Sequence, residues 1–346
     1  MTRVAVIGAG AWGLNHVRAF ARLGALALVC DSDERSRRGA AAVAPGIPVS
    51  ADPQEAFGPG IDAVVVATPS SLHHPIALAA LRAGKHVLVE KPLALRGRDA
   101  AELVAAADAS GRTLLVGHLL LYHPAVRRMK EFLDGGELGD VHYLYSQRVN
   151  LGQVRSDENA LWSLAPHDIA VMLYLFGETP VDVSARGGAY LQPGIPDVVF
   201  LNVRFPGDRM AQVQLSWLDP HKIRKTTLVG SRKMIVFDDM ESVEKLKIYD
   251  KGVDRNPEAV SFKDFLTLRF GDILIPKIRM EEPLVVECRH FLECCAGTAT
   301  PVSGGAQGLL VVRILEAAQA SLERGGEPVA VAGAGAPAGA EASRRG

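Results

Sequence analysis

Short apolar runs (VAVIG, ALALVC, DAVVVAT, HVLVEK and TLLVGH) alternate with helical patterns at residues 11–23, 72–83 and 98–110. Runs of this length, each separated by a helix, predict a parallel sheet with helices on both faces. Gly24, Gly84 and Gly111 stand where the helix C-termini are expected. Beyond Pro124 the period changes. A helix at 124–133 precedes alternating stretches such as VHYLYSQRV, PVDVSARGG, VVFLNVRF and RMAQVQLSWL, and Pro206-Gly207-Asp208 joins the last two as a hairpin turn. Further strands near 225–237 and 245–250 and helices at 282–297 and 306–323 complete the pattern. The expected fold class is α/β: a doubly wound parallel domain over 1–122, then an α+β domain over 123–330 with an open, mostly antiparallel sheet. A disordered tail is expected over 331–346, because GAGAPAGAEASRRG is too small and polar to bury surface.

The balance of 38 basic against 39 acidic residues gives a formal net charge of −1, so nothing global favours nucleic acid or an anionic membrane. The N-terminus runs straight into a strand without a leader or long apolar span, which places the chain in the cytoplasm. Cys30, Cys288, Cys294 and Cys295 lack zinc-type spacing and sit among apolar residues. They are read as reduced and structural, and no metal is expected.

Gly8-Ala9-Gly10-Ala11-Trp12-Gly13 follows a strand and opens a helix. In that context G-x-G-x-x-G has a mechanical meaning: Gly8 for the turn, Gly10 for close approach of a pyrophosphate, Gly13 for helix–sheet packing. The helix N-terminus supplies partial positive charge. Together they make the first domain a Rossmann dinucleotide-binding domain, with Ala11 and Trp12 also at the cofactor. Asp31 ends the second strand where a carboxylate accepts from ribose hydroxyls, which favours NAD over NADP. Arg35, Arg37 and Arg38 leave a 2′-phosphate open, although such a cluster is also an ordinary solvated helix face. Ala67-Thr68-Pro69-Ser70-Ser71-Leu72-His73 forms a polar turn at the carboxyl edge of the sheet. It puts Thr68, Pro69 and His73 near the nicotinamide ribose; the plainer reading has Ser71 capping the helix and His73 on its first turn.

Glu90-Lys91-Pro92 closes the next strand. A lysine there carries a desolvation cost that calls for a role. Partial burial and a neighbouring oxidised nicotinamide both disfavour the ammonium, so Lys91 is expected to accept a hydroxyl proton, while Glu90 lies beside it at the cofactor. The structural alternative is a lysine that reaches the surface and pairs with Glu90.

With the fingerprint, ATPSSLH and Glu90-Lys91-Pro92 in this order, the chain resembles the glucose-fructose oxidoreductase/inositol dehydrogenase (Gfo/Idh/MocA) family over roughly residues 3–330. The resemblance implies that Lys91 contacts both the nicotinamide and the reacting hydroxyl. Family members often carry D-x-x-x-H on a helix of the second domain; here His167 is retained and Ser163 stands where the aspartate would be. A relay through that aspartate is therefore in doubt, and His167 is the second catalytic candidate. The runs ENALWSLAPHDIAVMLYL and EPLVVECRHFLECC are similar to the branch acting on nucleotide-linked sugars. That likeness implies NAD-dependent oxidation at C3 of a UDP-N-acetylhexosamine or its uronate, on the way to a 3-amino sugar.

For such a substrate the candidates are Arg148, Asn150, Arg155, Asn159, Trp162 and Ser163, around the polar loop at 150–162. Three alternatives stay open: an NADPH-dependent nucleotide-keto-sugar reductase, a free cyclitol or sugar dehydrogenase, and a non-catalytic dinucleotide sensor. The open antiparallel sheet needs a cover, which predicts a homodimer or homotetramer.

Overall fold

Strand β1 (Val4–Ile7) consists of four apolar residues, each of them buried, as a strand covered on both faces requires. A computed structural model describes residues 2–255 and 266–333. In it β2 (Leu26–Cys30), β3 (Val49–Ser50), β4 (Ala63–Val66), β5 (His86–Glu90) and β6 (Leu114–Gly117) join β1 in a six-stranded sheet, order β3-β2-β1-β4-β5-β6. Every pairing in it is parallel. The order reverses direction between β1 and β4, which opens a crevice at the carboxyl ends of the strands, where ligands of such sheets bind. The helices are α1 (Gly13–Arg22), α2 (Glu34–Val43), α3 (His73–Arg82) and α4 (Gly97–Ser110).

The first compact unit comprises Met1–His123 together with Met280–Arg313. This corrects the expected boundary. The helix at 282–297, assigned by sequence to the second domain, is α7 (Pro283–Cys295), and its Leu284, Val285, Cys288 and Phe291 belong to the same core as Val17 and Phe20 of α1. Phe291 meets Phe20 edge to face at 6.4 Å. An amphipathic stripe says that a helix is buried, not on which sheet.

The second unit comprises Pro124–Arg279 and Ile314–Gly346. It opens with α5 (Pro124–Asp134), β7 (Val141–Val149) and α6 (Ala160–Phe176). Next come β8 (Asp182–Gly188), β9 (Val198–Arg204), β10 (Met210–Ser216), β11 (Ile223–Gly230), β12 (Met234–Asp238) and β13 (Leu246–Arg255). With β14 (Leu266–Leu274) and β15 (Val329–Ala330) they form a nine-stranded sheet, order β14-β13-β12-β11-β7-β10-β9-β8-β15. Within this second sheet only β7 and β10 pair in parallel among the described strands. The predicted hairpin joins β9 to β10, with Gly207 at φ 68°. Strand β14 was not anticipated, because its side chains are almost all exposed and alternate weakly.

Helix α6 is apolar nearly all round, capped by Asn159 at its start and ended by Gly177 at φ 66°. It runs over the sheet face that carries Leu201, Val213 and Leu215, all of them fully buried. The last helix, α8 (Gly305–Glu323), binds β8 through Ser321, whose hydroxyl accepts from the Ala185 amide at 2.9 Å. Val331, within the stretch expected as a tail, is buried and its amide donates to Val181 O at 3.1 Å. Residues 334–346 lie outside the described residues. Among the described residues no helix is long and apolar enough to cross a membrane.

Candidate functional site

The turn after β1 has the shape its glycines demand. A Cβ on Gly8 would sit 2.6 Å from Ala67 O, and one on Gly13 would sit 2.0 Å from Gly8 O, whereas a Cβ on Gly10 meets nothing within 4 Å. Gly10 thus leaves open space where a pyrophosphate would approach, beside the N-terminus of α1, which has no side-chain cap. A groove of roughly 310 Å³ is lined by Gly8, Gly10, Asp31, Thr68, Pro69 and Leu72, among others. Asp31 is set by the Ala9 amide at 2.6 Å and the Asp33 amide at 2.8 Å, so its carboxylate is oriented before any ligand arrives. The Thr68 hydroxyl is buried without a hydrogen-bond partner among the described residues. An open cradle, a preset carboxylate and an unsatisfied hydroxyl fit a dinucleotide. Arg37 turns away, donating to the carbonyls of Asp31 and Ser32 at 2.8 and 2.9 Å, and Arg38 faces Glu34 at 3.3 Å.

The glycine loop and the lysine motif are physically joined. The indole N–H of Trp12 donates to Glu90 Oε1, which also meets His16 Nε2 at 2.7 Å, while Glu90 Oε2 accepts from the Lys91 amide at 3.2 Å. Glu90, expected at the cofactor, forms a buried bracket between α1, the fingerprint loop and the end of β5. Trp12 stays 44% exposed while its N–H is committed. Burial alone would raise the Glu90 pKa, but the His16 and Trp12 donors and the Lys91 charge bring it below the usual glutamate value.

His73 is buried, with Nδ1 2.8 Å from Pro92 O and Nε2 2.9 Å from Thr68 O. Both nitrogens face carbonyls, so the ring staples the polar turn to the segment after Lys91. Burial lowers its pKa, and the neutral ring donates to one of the two carbonyls at a time. Lys91 itself is half-buried at the end of β5, and the Lys91–Pro92 peptide is cis. Its charge bears on His73, His118 and Glu90.

Several residues around this bracket escaped the sequence reading. His118, just past β6, is buried and has no partner for either ring nitrogen among the described residues; burial pushes its pKa down to about 4. Glu287 on α7 is buried with both oxygens unpartnered among the described residues. Burial, then the Glu90 charge, raise its pKa well above the usual value. Cys288 Sγ lies 3.8 Å from His16 Nδ1. The available signal was a polar residue inside an apolar stripe: His16 adjoins Val17 and lies four residues before Phe20, and Glu287 stands between Leu284 and Phe291.

In the second unit, His167 and Ser163 lie on α6, with Ser163 buried and His167 half-buried well inside the helix rather than at its start. Arg148 donates to both oxygens of Asp168, the residue after His167. Asn159 is a cap: it accepts from the Trp162 amide at 3.2 Å and donates to Gln319 at 2.9 Å, which accounts for its side chain without a substrate. Trp162 is half-buried in the first turn of α6. Asn150 folds over Gly152, where a Cβ would stand 2.3 Å from its Nδ2, and Arg155 pairs with Glu158 at 3.0 Å. No cluster of three metal-ligating side chains occurs among the described residues.

Comparison with known proteins gives this architecture a family. The model described as oxidoreductase family, NAD-binding Rossmann fold, matches residues 2–118, and that of the GFO/IDH/MocA C-terminal domain matches 126–236. The chain is 35% identical to inositol 2-dehydrogenase 2 of Saccharopolyspora erythraea over 61% of its length and 66% of the relative's. It is 36% identical to UDP-N-acetylglucosamine 3-dehydrogenase of Acidithiobacillus ferrooxidans over 54% of this chain and 58% of that one. The chain thus aligns with less than two thirds of either curated relative. A solved structure of the Acidithiobacillus ferrooxidans enzyme, 25% identical, matches with a TM-score of 0.79 over 93% of this chain and 98% of its own. Two family models, one matching in each unit and together spanning more than half of the chain, carry the conclusion: the chain belongs to the GFO/IDH/MocA oxidoreductase family, and its first unit holds an NAD-binding Rossmann domain.

Proposed function

We propose that the chain is an NAD-dependent dehydrogenase of a secondary hydroxyl on a sugar or cyclitol, with C3 of a UDP-N-acetylhexosamine or its uronate as the first choice of substrate. The observation that carries this is the bracket at Glu90. It fixes the end of β5, and with it Lys91, to the same loop that leaves room for the pyrophosphate. NAD held along the groove by Gly10, Asp31 and Thr68 would supply the hydride acceptor. Lys91 takes the hydroxyl proton, as a half-buried amine able to accept in one direction and donate in the other. His167, with Ser163 one turn before it on α6, is the second catalytic candidate. The nucleotide-sugar choice is supported by the Acidithiobacillus ferrooxidans relative, and a second reading, oxidation of a free cyclitol, by the Saccharopolyspora erythraea one. The protein works in the cytoplasm as a homodimer or homotetramer.

The test is a screen of UDP-N-acetylglucosamine, its uronate and myo-inositol with NAD and NADP, following the near-ultraviolet absorbance of reduced nicotinamide. The expected result is reduction of NAD by a nucleotide sugar. Lys91→Met lowers turnover by about a thousandfold while NAD still binds. Turnover of inositol alone moves the assignment to a cyclitol. Binding of NAD with no turnover of any alcohol sinks the enzyme reading in favour of a sensor.

A further inference from the structure

On the face of the second sheet that packs against α6, a polar ladder interrupts the apolar core. In register, Ser146 of β7 stands opposite Thr226 of β11, and Arg148 opposite Arg224. The inner rung is satisfied: Ser146 Oγ donates to Asp168 Oδ1 at 2.5 Å and lies 3.4 Å from Thr226 Oγ1. The outer rung is not balanced. Two guanidinium groups face each other across antiparallel strands, an arrangement that costs stability unless an anion lies between them. The carboxylate within reach, Asp168, is taken by Arg148 through both oxygens. Among the described residues Arg224 makes no forked contact of that kind: it feels the Asp168 charge and has Asp239 at 4.0 Å, a residue that also faces Lys245 at 3.8 Å. Burial and then the Arg148 charge disfavour the charged form of Arg224, although its side chain is still 43% exposed.

The place of this rung gives the imbalance a use. Arg148 is the penultimate residue of β7, and the strand runs on through Asn150, whose amide donates to Ser216 O at 3.1 Å, into the segment that leads to α6. Arg224 is the second residue of β11. The pair therefore stands at the end of two central strands of the sheet, the end from which that segment departs, and Asp168 directly follows His167 on α6.

We propose that Arg224, with Arg148 held beside it by Asp168, is the binding site for an oxyanion of the substrate: a phosphoryl group of a nucleoside diphosphate or the carboxylate of a hexuronate. Arg148 is fixed in position by its forked contact with Asp168, and Arg224 keeps planar donors available toward solvent. A neutral cyclitol would have no use for this pair. The inference rests on the dehydrogenase reading for the identity of the ligand, and not for the presence of an anion site.

The experiment uses the full chain saturated with NADH, so that the glycine loop cannot capture the probe. Binding of UDP, of glucuronate and of myo-inositol is measured by calorimetry for the wild type, Arg224→Gln and Arg224→Lys. One of the two anions is expected to bind, and more weakly as salt rises. Arg224→Gln should weaken it by about ten- to a hundredfold, Arg224→Lys should restore part of the loss, NADH affinity should stay unchanged, and without anion the melting temperature of Arg224→Gln should not fall, because one of the two facing charges is gone. Which anion responds distinguishes phosphoryl from carboxylate. An anion affinity indifferent to Arg224, or no anion binding by the wild type, overturns the proposal. A chain that binds UDP through Arg224 but oxidises no alcohol leaves the anion site standing and removes the dehydrogenase reading.

Discussion

Glu90 holds its position because its oxygens accept N–H groups from Trp12, His16 and the Lys91 backbone. The orientation of His16 follows from its other nitrogen. Cys288 keeps its thiol proton, since burial and the nearby carboxyls push its pKa well up, and its Sγ lies 3.8 Å from Nδ1 while Nε2 faces Glu90. His16→Leu should remove that donor and cost about 1.5–3 kcal/mol of unfolding free energy. It should also weaken NAD binding by loosening the Trp12 loop, whereas His16→Gln, which keeps an N–H, should retain most of both. Denaturant melts and NAD titration by protein fluorescence read the two effects, and equal behaviour of Leu and Gln would remove the bracket from the argument. Glu287 gives a pH signature of known sign. Its folded pKa lies well above the usual glutamate value, so the folded state holds a proton that the unfolded chain releases. Its contribution is then complete below that value and is lost as pH rises toward the folded pKa. Glu287→Gln should gain stability relative to the wild type as pH increases from acid to neutral, measured as the difference in melting temperature at each pH. A constant difference would mean that Glu287 is ionised in the native state.

These residues also mark how far the site could be read from the chain. Gly8, Gly10, Gly13, Asp31 and Lys91 were legible because a turn, a strand end and a lysine on an apolar strand each carry a local signature. The hydrogen-bond partners of Glu90, His73 and Asn159 come from other segments, and no local pattern announces a side chain that another segment will satisfy. At the scale of elements the same division holds. Five strands of the first sheet were legible because burial on both faces makes them continuously apolar, whereas β3, two residues with Val49 exposed, gave no such run. The attachment of α7 was not, since its stripe of Leu284, Val285, Cys288 and Phe291 suits either core equally well. That attachment is testable. Phe291 is fully buried against Phe20, and Phe291→Ala should destabilise the first unit by about 3–5 kcal/mol. NAD should protect the variant, because binding to the folded unit opposes unfolding. A loss below about 1 kcal/mol would show that α7 contributes little to that core.

For the whole molecule, the face of the second sheet turned away from α6 sets the expectation. Tyr143 and Tyr145 of β7, Met210 of β10 and Phe200 of β9 alternate with the inward residues of their strands and are 42%, 38%, 59% and 44% exposed. Asn202, Arg204 and Gln212 stand among them around a depression of roughly 500 Å³. Aromatic and methionine side chains mixed with amides and an arginine make the composition of a protein interface rather than of a lipid-facing surface. A net charge of −1 puts little repulsion between copies. A second copy meeting this face about a two-fold axis would set like strands against each other, the commonest closed symmetry. Light scattering at micromolar concentration should therefore give a multiple of the chain mass. Tyr145→Glu combined with Met210→Glu should shift it to the monomer, with NAD affinity retained because the groove at Gly10 and Asp31 lies in the other unit. A wild-type monomer would leave the face without a partner of its own kind, and a doubly substituted chain that still assembles would move the interface elsewhere on the protein.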